Sequence, residues 1–98
     1  MNERKILSPE EIEKELQELP GWEIEEGMLC KEMKFKNFID AFGLMSKVAL
    51  LAEKMNHHPN WFNSYNNVKF LLYTHSENGI TKKDIQLASA IEVLLKKD

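Results

Sequence analysis

Two segments near the ends of the chain place apolar residues at helical spacing behind residues that can cap a helix. In the first, Ser8 can cap, Pro9 suits the first helical position and Glu11 completes a capping box. In the last, Thr81 and Asp84 form a second capping box. The apolar positions that follow are Ile12, Leu16 and Leu19 in the first segment and Ile85, Ala88, Ile91 and Leu95 in the last. The pattern predicts two amphipathic helices.

A longer helix with a broader apolar surface is predicted over residues 37–55, with Asn37 as its cap and Asp40 three residues on. Its apolar side chains form two adjacent stripes: Phe38, Phe42, Met45, Ala49 and Ala52 in one, and Ala41, Leu44, Val48, Leu51 and Met55 in the other. So broad a surface indicates packing on more than one partner. The helix is expected to end before Pro59, because the residue ahead of a proline disfavours helical backbone.

A β-hairpin is predicted between the first two helices. Trp22 and Ile24 alternate with charged residues, and the turn residues 26–27 lead into a second strand over residues 29–35. In that second strand Lys31 falls on the otherwise apolar side, so its register is imperfect.

Two more strands are predicted after the long helix, over residues 61–65 and 68–74. The second has apolar side chains on both faces, so we expect it to be central and covered. Asn78-Gly79 then predicts a turn. The order of elements predicts one α+β domain over residues 1–98, in which helices pack on one face of an antiparallel sheet.

Composition narrows the function classes. The net charge of −3 argues against a nucleic-acid partner, and we interpret Lys31, Lys34 and Lys36 as a solvated strand face. The single cysteine, Cys30, excludes a disulfide within the chain and offers one thiol for zinc, which favours a reducing, cytoplasmic location. The N-terminus lacks a secretory pattern, and no window has the ~20 apolar residues of a membrane span.

Five residues from three elements are candidates for proton transfer: His57, His58, His75, Glu53 and Asp84. The first two histidines follow the long helix and the third ends the predicted central strand. Glu53 lies one helical turn before His57 and is expected to share a face with it. Histidine suits proton transfer near neutral pH, and a carboxylate within hydrogen-bond reach orients its ring.

Simpler roles are open for every one of these residues. A histidine beside a proline is commonly a turn residue, Glu53 suits a helix surface, and Asp84 has a structural role as a cap. The aromatic residues of the third strand suit the core: Trp61, Phe62 and Tyr65. A metal site is the main chemical alternative, but adjacent His57 and His58 point apart and no metalloprotease motif is present. Cys30 has no activating neighbour in sequence.

The spacing of Glu53, His57-His58-Pro59, Tyr65, His75 and Asp84 closely resembles the pattern of the pterin-4a-carbinolamine dehydratase family. The likeness extends over residues 8–92. It departs at the position before Tyr65, where an aliphatic residue is usual and this chain has serine.

The resemblance implies four antiparallel strands with three helices on one face, assembled as homodimers or homotetramers. It implies dehydration of 4a-hydroxytetrahydrobiopterin, or a related pterin, to a quinonoid dihydropterin during tetrahydropterin recycling, without cofactor or metal. The implied substrate-binding residues are His57, His58, Pro59, Trp61, Thr74, His75, Ser76 and Glu77.

Loss of water requires a proton delivered to the 4a-hydroxyl and a proton removed from N5. Our hypothesis is that His57 and His58 act as acids and His75 as the base, with Glu53 and Asp84 orienting the rings. Animal relatives also serve as dimerisation cofactors of a homeodomain transcription factor. A protein-binding adaptor using the long helix, and a pterin-binding regulatory protein, therefore stay open as alternatives. Neither direct nucleic-acid binding nor membrane contact is expected.

Overall fold

The computed structural model describes residues 4–97. Its elements are α1 (Pro9–Leu16), β1 (Glu23–Glu25), β2 (Met28–Lys34), α2 (Phe38–Met55), β3 (Asn60–Ser64), β4 (Asn67–Leu72) and α3 (Lys82–Lys97). The strands form one antiparallel sheet in the order β1-β2-β4-β3. The predicted α+β fold, a four-stranded antiparallel sheet with three helices, is confirmed.

The first two helices begin at the caps that the sequence predicts. Ser8 Oγ accepts a hydrogen bond from the Glu11 N–H at 3.1 Å, and Glu11 Oε1 accepts one from the Ser8 N–H at 2.8 Å. These bonds and the nearby Lys5 ammonium lower the pKa of Glu11 from 4.5 to about 2. At the start of α2, Asn37 Oδ1 accepts from the Asp40 N–H at 2.8 Å. Both helices therefore satisfy backbone donors that a helix start leaves open.

Strand β4 lies between β2 and β3, so its predicted central position is confirmed. Alternate residues of β4 are fully buried under the helices: Val68, Phe70 and Leu72. The intervening Lys69 and Leu71 point to the opposite face and are only half-buried. The expectation that β4 is covered on both sides is therefore wrong, because the helices pack on one face of the sheet and the other face stays open.

Lys31, which falls on the apolar side of β2, has a partly buried partner on α3. Lys31 Nζ lies 2.6 Å from Glu92 Oε2 and 3.0 Å from the Pro20 carbonyl oxygen, and Trp22 Nε1 donates to the same Glu92 oxygen at 2.8 Å. The Lys31 side chain is only 16% exposed, so its interpretation as part of a solvated face is wrong. The other two lysines of that face are exposed: Lys34 and Lys36.

The two stripes of α2 have different environments. Five residues of α2 are buried in the core: Ala41, Leu44, Met45, Val48 and Ala52. Phe38 and Phe42 remain about half exposed and contact each other, with ring centroids 5.7 Å apart. Together with Ala49 and with Trp61 of the edge strand β3, they form what we call the α2–β3 apolar face. The breadth of the predicted apolar surface thus exceeds what this chain covers by itself.

Candidate functional site

An open cleft of about 310 Å³ lies where the end of α2, the end of β4 and the start of α3 meet. Its lining residues are Arg4, Asn56, His57, His58, Tyr73, Thr74, His75, Ser76 and Lys83. We call it the histidine cleft, because all three histidines of the chain line it. Residues from three elements, distant in sequence, therefore face one hollow.

A left-handed asparagine places the two adjacent histidines. Helix α2 ends at Met55, and Asn56 adopts φ 53° and ψ 42°, which turns the chain away from the helix axis. The His57 N–H still donates to the Ala52 carbonyl at 3.0 Å, so the turn is anchored to the last helical residues. His57 and His58 consequently lie beyond the helix and point in different directions.

His57 is held by a buried carboxylate. Its Nε2 lies 2.6 Å from Asp84 Oδ1, and the side chains are 10% and 0% exposed. An ionised carboxylate accepts the Nε2 proton, so in the neutral ring Nδ1 is the nitrogen with a free lone pair. Asp84 also offsets the positive charge that the ring bears when protonated. The contact therefore fixes the tautomer and the orientation of His57.

Asp84 is the centre of a small buried network. Its Oδ2 accepts from Thr74 Oγ1 at 2.7 Å and from the Thr81 N–H at 2.9 Å. Thr74 Oγ1 also lies 2.7 Å from Thr81 Oγ1. Half of the predicted capping box is formed, because Thr81 Oγ1 accepts from the Lys83 N–H rather than from that of Asp84. The carboxylate of Asp84 thus both caps the start of α3 and contacts the His57 ring.

Glu53 contacts His58 and not His57. Its Oε1 lies 2.8 Å from His58 Nε2, and the two side chains are 80% and 58% exposed. The prediction that Glu53 shares a face with His57 is wrong, because the left-handed turn at Asn56 carries His57 inward and leaves His58 over the end of the helix. Each of the adjacent histidines therefore has its own carboxylate, one buried and one exposed.

His75 lies in the exposed turn that joins β4 to α3. The turn is closed by the Thr74 N–H, which donates to the Gly79 carbonyl at 2.9 Å. The His75 ring meets the Tyr73 ring edge to face, with centroids 5.0 Å apart and an interplanar angle of 81°. The Tyr73 hydroxyl donates to Asn78 Oδ1. No carboxylate contacts the His75 ring within residues 4–97, which distinguishes it from His57 and His58.

The other expected substrate-binding residues divide into two groups. Thr74 and Ser76 line the cleft. Three others lie outside its lining: Pro59, Trp61 and Glu77. Trp61 pairs in register with Phe70, and their rings pack 5.9 Å apart on the helix side of the sheet. The expectation that Trp61 contacts a ligand in this cleft is not supported, because its ring belongs to the α2–β3 apolar face.

Four lining residues were absent from the prediction: Arg4, Asn56, Tyr73 and Lys83. Three of them directly precede predicted site residues in the sequence: Asn56 precedes His57, Tyr73 precedes Thr74 and Lys83 precedes Asp84. This adjacency is the signal by which they could have been predicted. The sequence contains no such signal for Arg4, because only the folded chain brings residues near the N-terminus to this cleft.

Other candidate chemistry is weaker in the structure. Among residues 4–97, no group of three or more histidine, cysteine, aspartate or glutamate side chains is placed to hold a metal ion. Cys30 is buried on β2, and burial together with the nearby Glu25 carboxylate raises the pKa of its thiol. A raised pKa leaves little thiolate at neutral pH, which disfavours a nucleophilic role. None of the helices described is both long and apolar enough to span a bilayer.

The fold and the cleft define a class of small α+β protein in which imidazoles from a helix end and a strand end face one hollow. A family model described as pterin 4 alpha carbinolamine dehydratase matches residues 5–94. This chain therefore belongs to the pterin 4 alpha carbinolamine dehydratase family, and the predicted resemblance to a dehydratase family is confirmed.

Individual relatives agree over nearly the full length. Proteins that bear the pterin-4-alpha-carbinolamine dehydratase name in Prochlorococcus marinus strain NATL2A and Solibacter usitatus strain Ellin6076 are 49% and 50% identical, over 92% and 90% of this chain and 95% and 93% of theirs. A crystal structure from Brucella melitensis, described as a transcriptional coactivator/pterin dehydratase, superposes with a TM-score of 0.88 at 43% identity. That match covers 91% of this chain and 97% of the other.

Proposed function

We propose that this protein dehydrates 4a-hydroxytetrahydropterins to quinonoid dihydropterins, as a step in tetrahydropterin recycling, by proton transfer from histidines in the histidine cleft. The observation on which this depends is the convergence of His57, His58 and His75 on one open hollow. Membership of the dehydratase family supports the same chemistry. The set of groups suits a reaction in which one proton is delivered and another is removed.

The reaction breaks the C4a–oxygen and N5–H bonds of the pterin and moves two protons. The C4a–oxygen bond breaks as the hydroxyl receives a proton and leaves as water. N5 loses its proton, and the electron pair of the N5–H bond forms the C4a–N5 double bond. The enzyme gains and loses one proton in each cycle, so no redox partner is required. The chain therefore needs an acid near the hydroxyl and a base near N5.

The carboxylate contacts support different roles for the histidines. His57 and His58 are each hydrogen-bonded to a carboxylate, which orients each ring for proton donation. His75 lacks such a partner within residues 4–97 and is left for the base at N5. Two acids at different positions would allow the 4a-hydroxyl to be protonated in either configuration at C4a. Asp84 and Glu53 act as positioning residues.

A stopped-flow assay on a chemically generated 4a-hydroxytetrahydropterin tests the proposal. We expect the protein to accelerate dehydration, and each of His57→Ala, His58→Ala and His75→Ala to slow it by about 10²–10⁴-fold if its ring transfers a proton. Lys34→Gln is the matched control, because Lys34 is exposed and pairs with Asn67 at the far end of β4. Full activity of His75→Ala would contradict the assigned base, and a wild-type protein without activity would contradict the function.

The α2–β3 apolar face supports a homo-oligomer as part of the same proposal. Phe42 is 54% exposed and Phe38 45%, whereas five other apolar residues of the same helix are buried. Exposed aromatic clusters of this kind mark interfaces between proteins. Sedimentation of wild type and Phe42→Glu tests it, and a wild type that sediments as a monomer would contradict it.

A coactivator role is a second candidate, favoured by the same face and by the description of the Brucella structure. A protein partner would compete with a second copy of the chain for the apolar side chains of α2. Capture of a partner by His75→Ala, with loss of capture in Phe42→Glu, would support an adaptor function separate from catalysis.

A further inference from the structure

Apart from the histidines, the histidine cleft is lined by four residues with neutral polar side chains: Asn56, Tyr73, Thr74 and Ser76. Three of these side chains are hydroxyls that already donate their proton to a neighbour. The acceptors of Tyr73, Thr74 and Ser76 are, in that order, Asn78 Oδ1, Asp84 Oδ2 and Glu77 Oε2. A hydroxyl has a single proton, so these three can accept a hydrogen bond from a ligand but have none left to donate.

The carboxamide of Asn56 is the fourth of these polar groups, and it is uncommitted. The backbone N–H of Asn56 donates to carbonyls of the last turn of α2, but its side chain has no hydrogen bond within the described part of the chain. The residue is exposed, lines the cleft and immediately precedes His57 and His58. A carboxamide has two N–H donors and a carbonyl acceptor, so Asn56 offers a ligand the neutral donors that the hydroxyls lack.

The left-handed backbone of Asn56 does not by itself account for this amide. Glycine adopts such a conformation without steric cost and is the residue most often found where a helix ends in this way. Glycine would therefore serve the turn alone. The same property makes Asn56→Gly an informative variant, because it removes the carboxamide and keeps φ 53° and ψ 42° accessible.

The proposed substrate has an acceptor next to its reacting carbon. In a 4a-hydroxytetrahydropterin, C4a bears the leaving hydroxyl and is bonded directly to the carbon of the ring carbonyl. A ring whose hydroxyl faces His57 or His58 therefore presents that carbonyl oxygen to the residues beside these acids. Lys83 also lines the cleft and has donors, but it lies on α3, whereas Asn56 belongs to the same turn as both acids.

We infer that the carboxamide of Asn56 binds the substrate by donating from Nδ2 to the ring carbonyl next to C4a. This inference rests on the proposed function and adds a substrate-binding residue to it. The contact involves neither the hydroxyl that leaves nor N5, so Asn56 takes no part in the proton transfers and contributes to binding.

Calorimetry with unreactive ligands tests the contact without turnover. The ligands are a dihydropterin and the dihydropteridine analogue in which a hydrogen replaces the ring carbonyl. We expect the wild type to bind the dihydropterin about 3- to 10-fold more tightly, the factor that one neutral hydrogen bond provides. Asn56→Gly should lose most of this difference, because the affinity for the analogue does not depend on the carboxamide. The four affinities form a cycle that isolates the one contact.

Asn56→Asp reverses the hydrogen-bonding character of the side chain while keeping its size. The carboxylate only accepts, so it should weaken binding of the dihydropterin by about tenfold, since two acceptors then face each other. The diamino analogue, in which an amino group replaces the ring carbonyl, presents a donor and should retain its affinity in this variant. A ratio of the two affinities equal to that of the wild type would overturn the inference.

Two further variants serve as controls. Glu26→Gly places glycine at another left-handed position, φ 52°, in the exposed turn between β1 and β2, and should leave all affinities unchanged. Lys83→Gln tests the other donor of the cleft. Loss of the preference for the dihydropterin in Lys83→Gln, with its retention in Asn56→Gly, would overturn the assignment to Asn56.

The outcomes for the two proposals are distinct. Equal affinities of the wild type for the dihydropterin and the analogue without the carbonyl would overturn the inference and leave the dehydratase function standing. The expected cycle, together with a wild type that does not dehydrate a 4a-hydroxytetrahydropterin in the stopped-flow assay, would contradict the function and support the contact. A wild type that binds none of the ligands would overturn both.

Discussion

Asp84 Oδ1 lies 2.6 Å from Nε2 of His57, and the other oxygen of the same carboxylate accepts hydrogen bonds from Thr74 Oγ1, just after β4, and from the Thr81 N–H, just before α3. One residue therefore joins the end of β4, the first turn of α3 and the imidazole that follows α2. The orientation of His57 depends on the packing of the fold, because Asp84 cannot move without breaking the contacts that begin a helix.

Asp84→Asn should lower both activity and stability. The amide keeps the shape of the carboxylate but loses the charge, and one of its two atoms becomes a donor that faces other donors. Loss of a group that orients a functional histidine typically costs about 10- to 100-fold, which we expect in kcat. A buried polar group left without a partner costs about 1–3 kcal/mol in the free energy of unfolding. Stopped-flow kinetics and urea unfolding measure the two effects.

Asp40→Asn is the control for this prediction, because it also removes a carboxylate in the first turn of a helix but at an exposed position. It should leave kcat unchanged. Wild-type kcat in Asp84→Asn would show that orientation of His57 by a charged group is not needed.

Glu53→Gln should have a much smaller effect on stability than Asp84→Asn. The Glu53–His58 pair is 80% and 58% exposed, and an exposed pair contributes about 0–1 kcal/mol. We expect the free energy of unfolding to change by less than about 0.5 kcal/mol and kcat to fall by less than about tenfold, since glutamine can still accept from His58. A loss of kcat equal to that in His58→Ala would show instead that the Glu53 charge is essential to the acid.

Features set by neighbouring residues were predictable from the sequence. Ser8 and Glu11 form the capping box that their spacing predicts, and Asn37 caps α2 as expected. The central position of β4 followed from its apolar run. These features depend on backbone donors and side chains only a few residues apart, so a local pattern contains the information.

Features that depend on distant contacts or on one backbone angle were not predictable in this way. Lys31 disturbed the strand pattern because its partner, Glu92, lies on the last helix. The pairing of Glu53 with His58 depends on the left-handed conformation of Asn56, which a helical projection of the sequence does not include. Arg4 reaches the cleft only through the folded chain.

Tyr73 should control the position of the His75 ring. The two rings meet edge to face, and the tyrosine hydroxyl is tied to Asn78. Tyr73→Ala removes the ring against which His75 rests, and we expect kcat to fall by about tenfold, since an aromatic contact of this kind is worth about 0.5–1.5 kcal/mol. Tyr73→Phe keeps the ring contact and should retain kcat within about threefold.

The NMR resonances of the His75 ring provide a readout that loss of stability alone would not move. They should shift strongly in Tyr73→Ala, where the ring current of the tyrosine is lost, and little in Tyr73→Phe. Equal kcat in both variants and wild type would mean that His75 is positioned by its turn and not by Tyr73.

The free energy of unfolding should decrease at acidic pH, because the capping box of α1 requires an ionised Glu11. Its pKa is lowered from 4.5 to about 2, first by the Ser8 N–H and then by Lys5. Because the folded pKa is the lower one, the stabilisation is complete above about pH 5 and is lost as the pH falls toward 2. Glu11→Gln should flatten this part of the pH profile of the urea midpoint. Glu13→Gln, on the exposed surface of the same helix, is the control. Parallel profiles for Glu11→Gln and wild type below about pH 5 would show that the capping carboxylate is not the group that titrates.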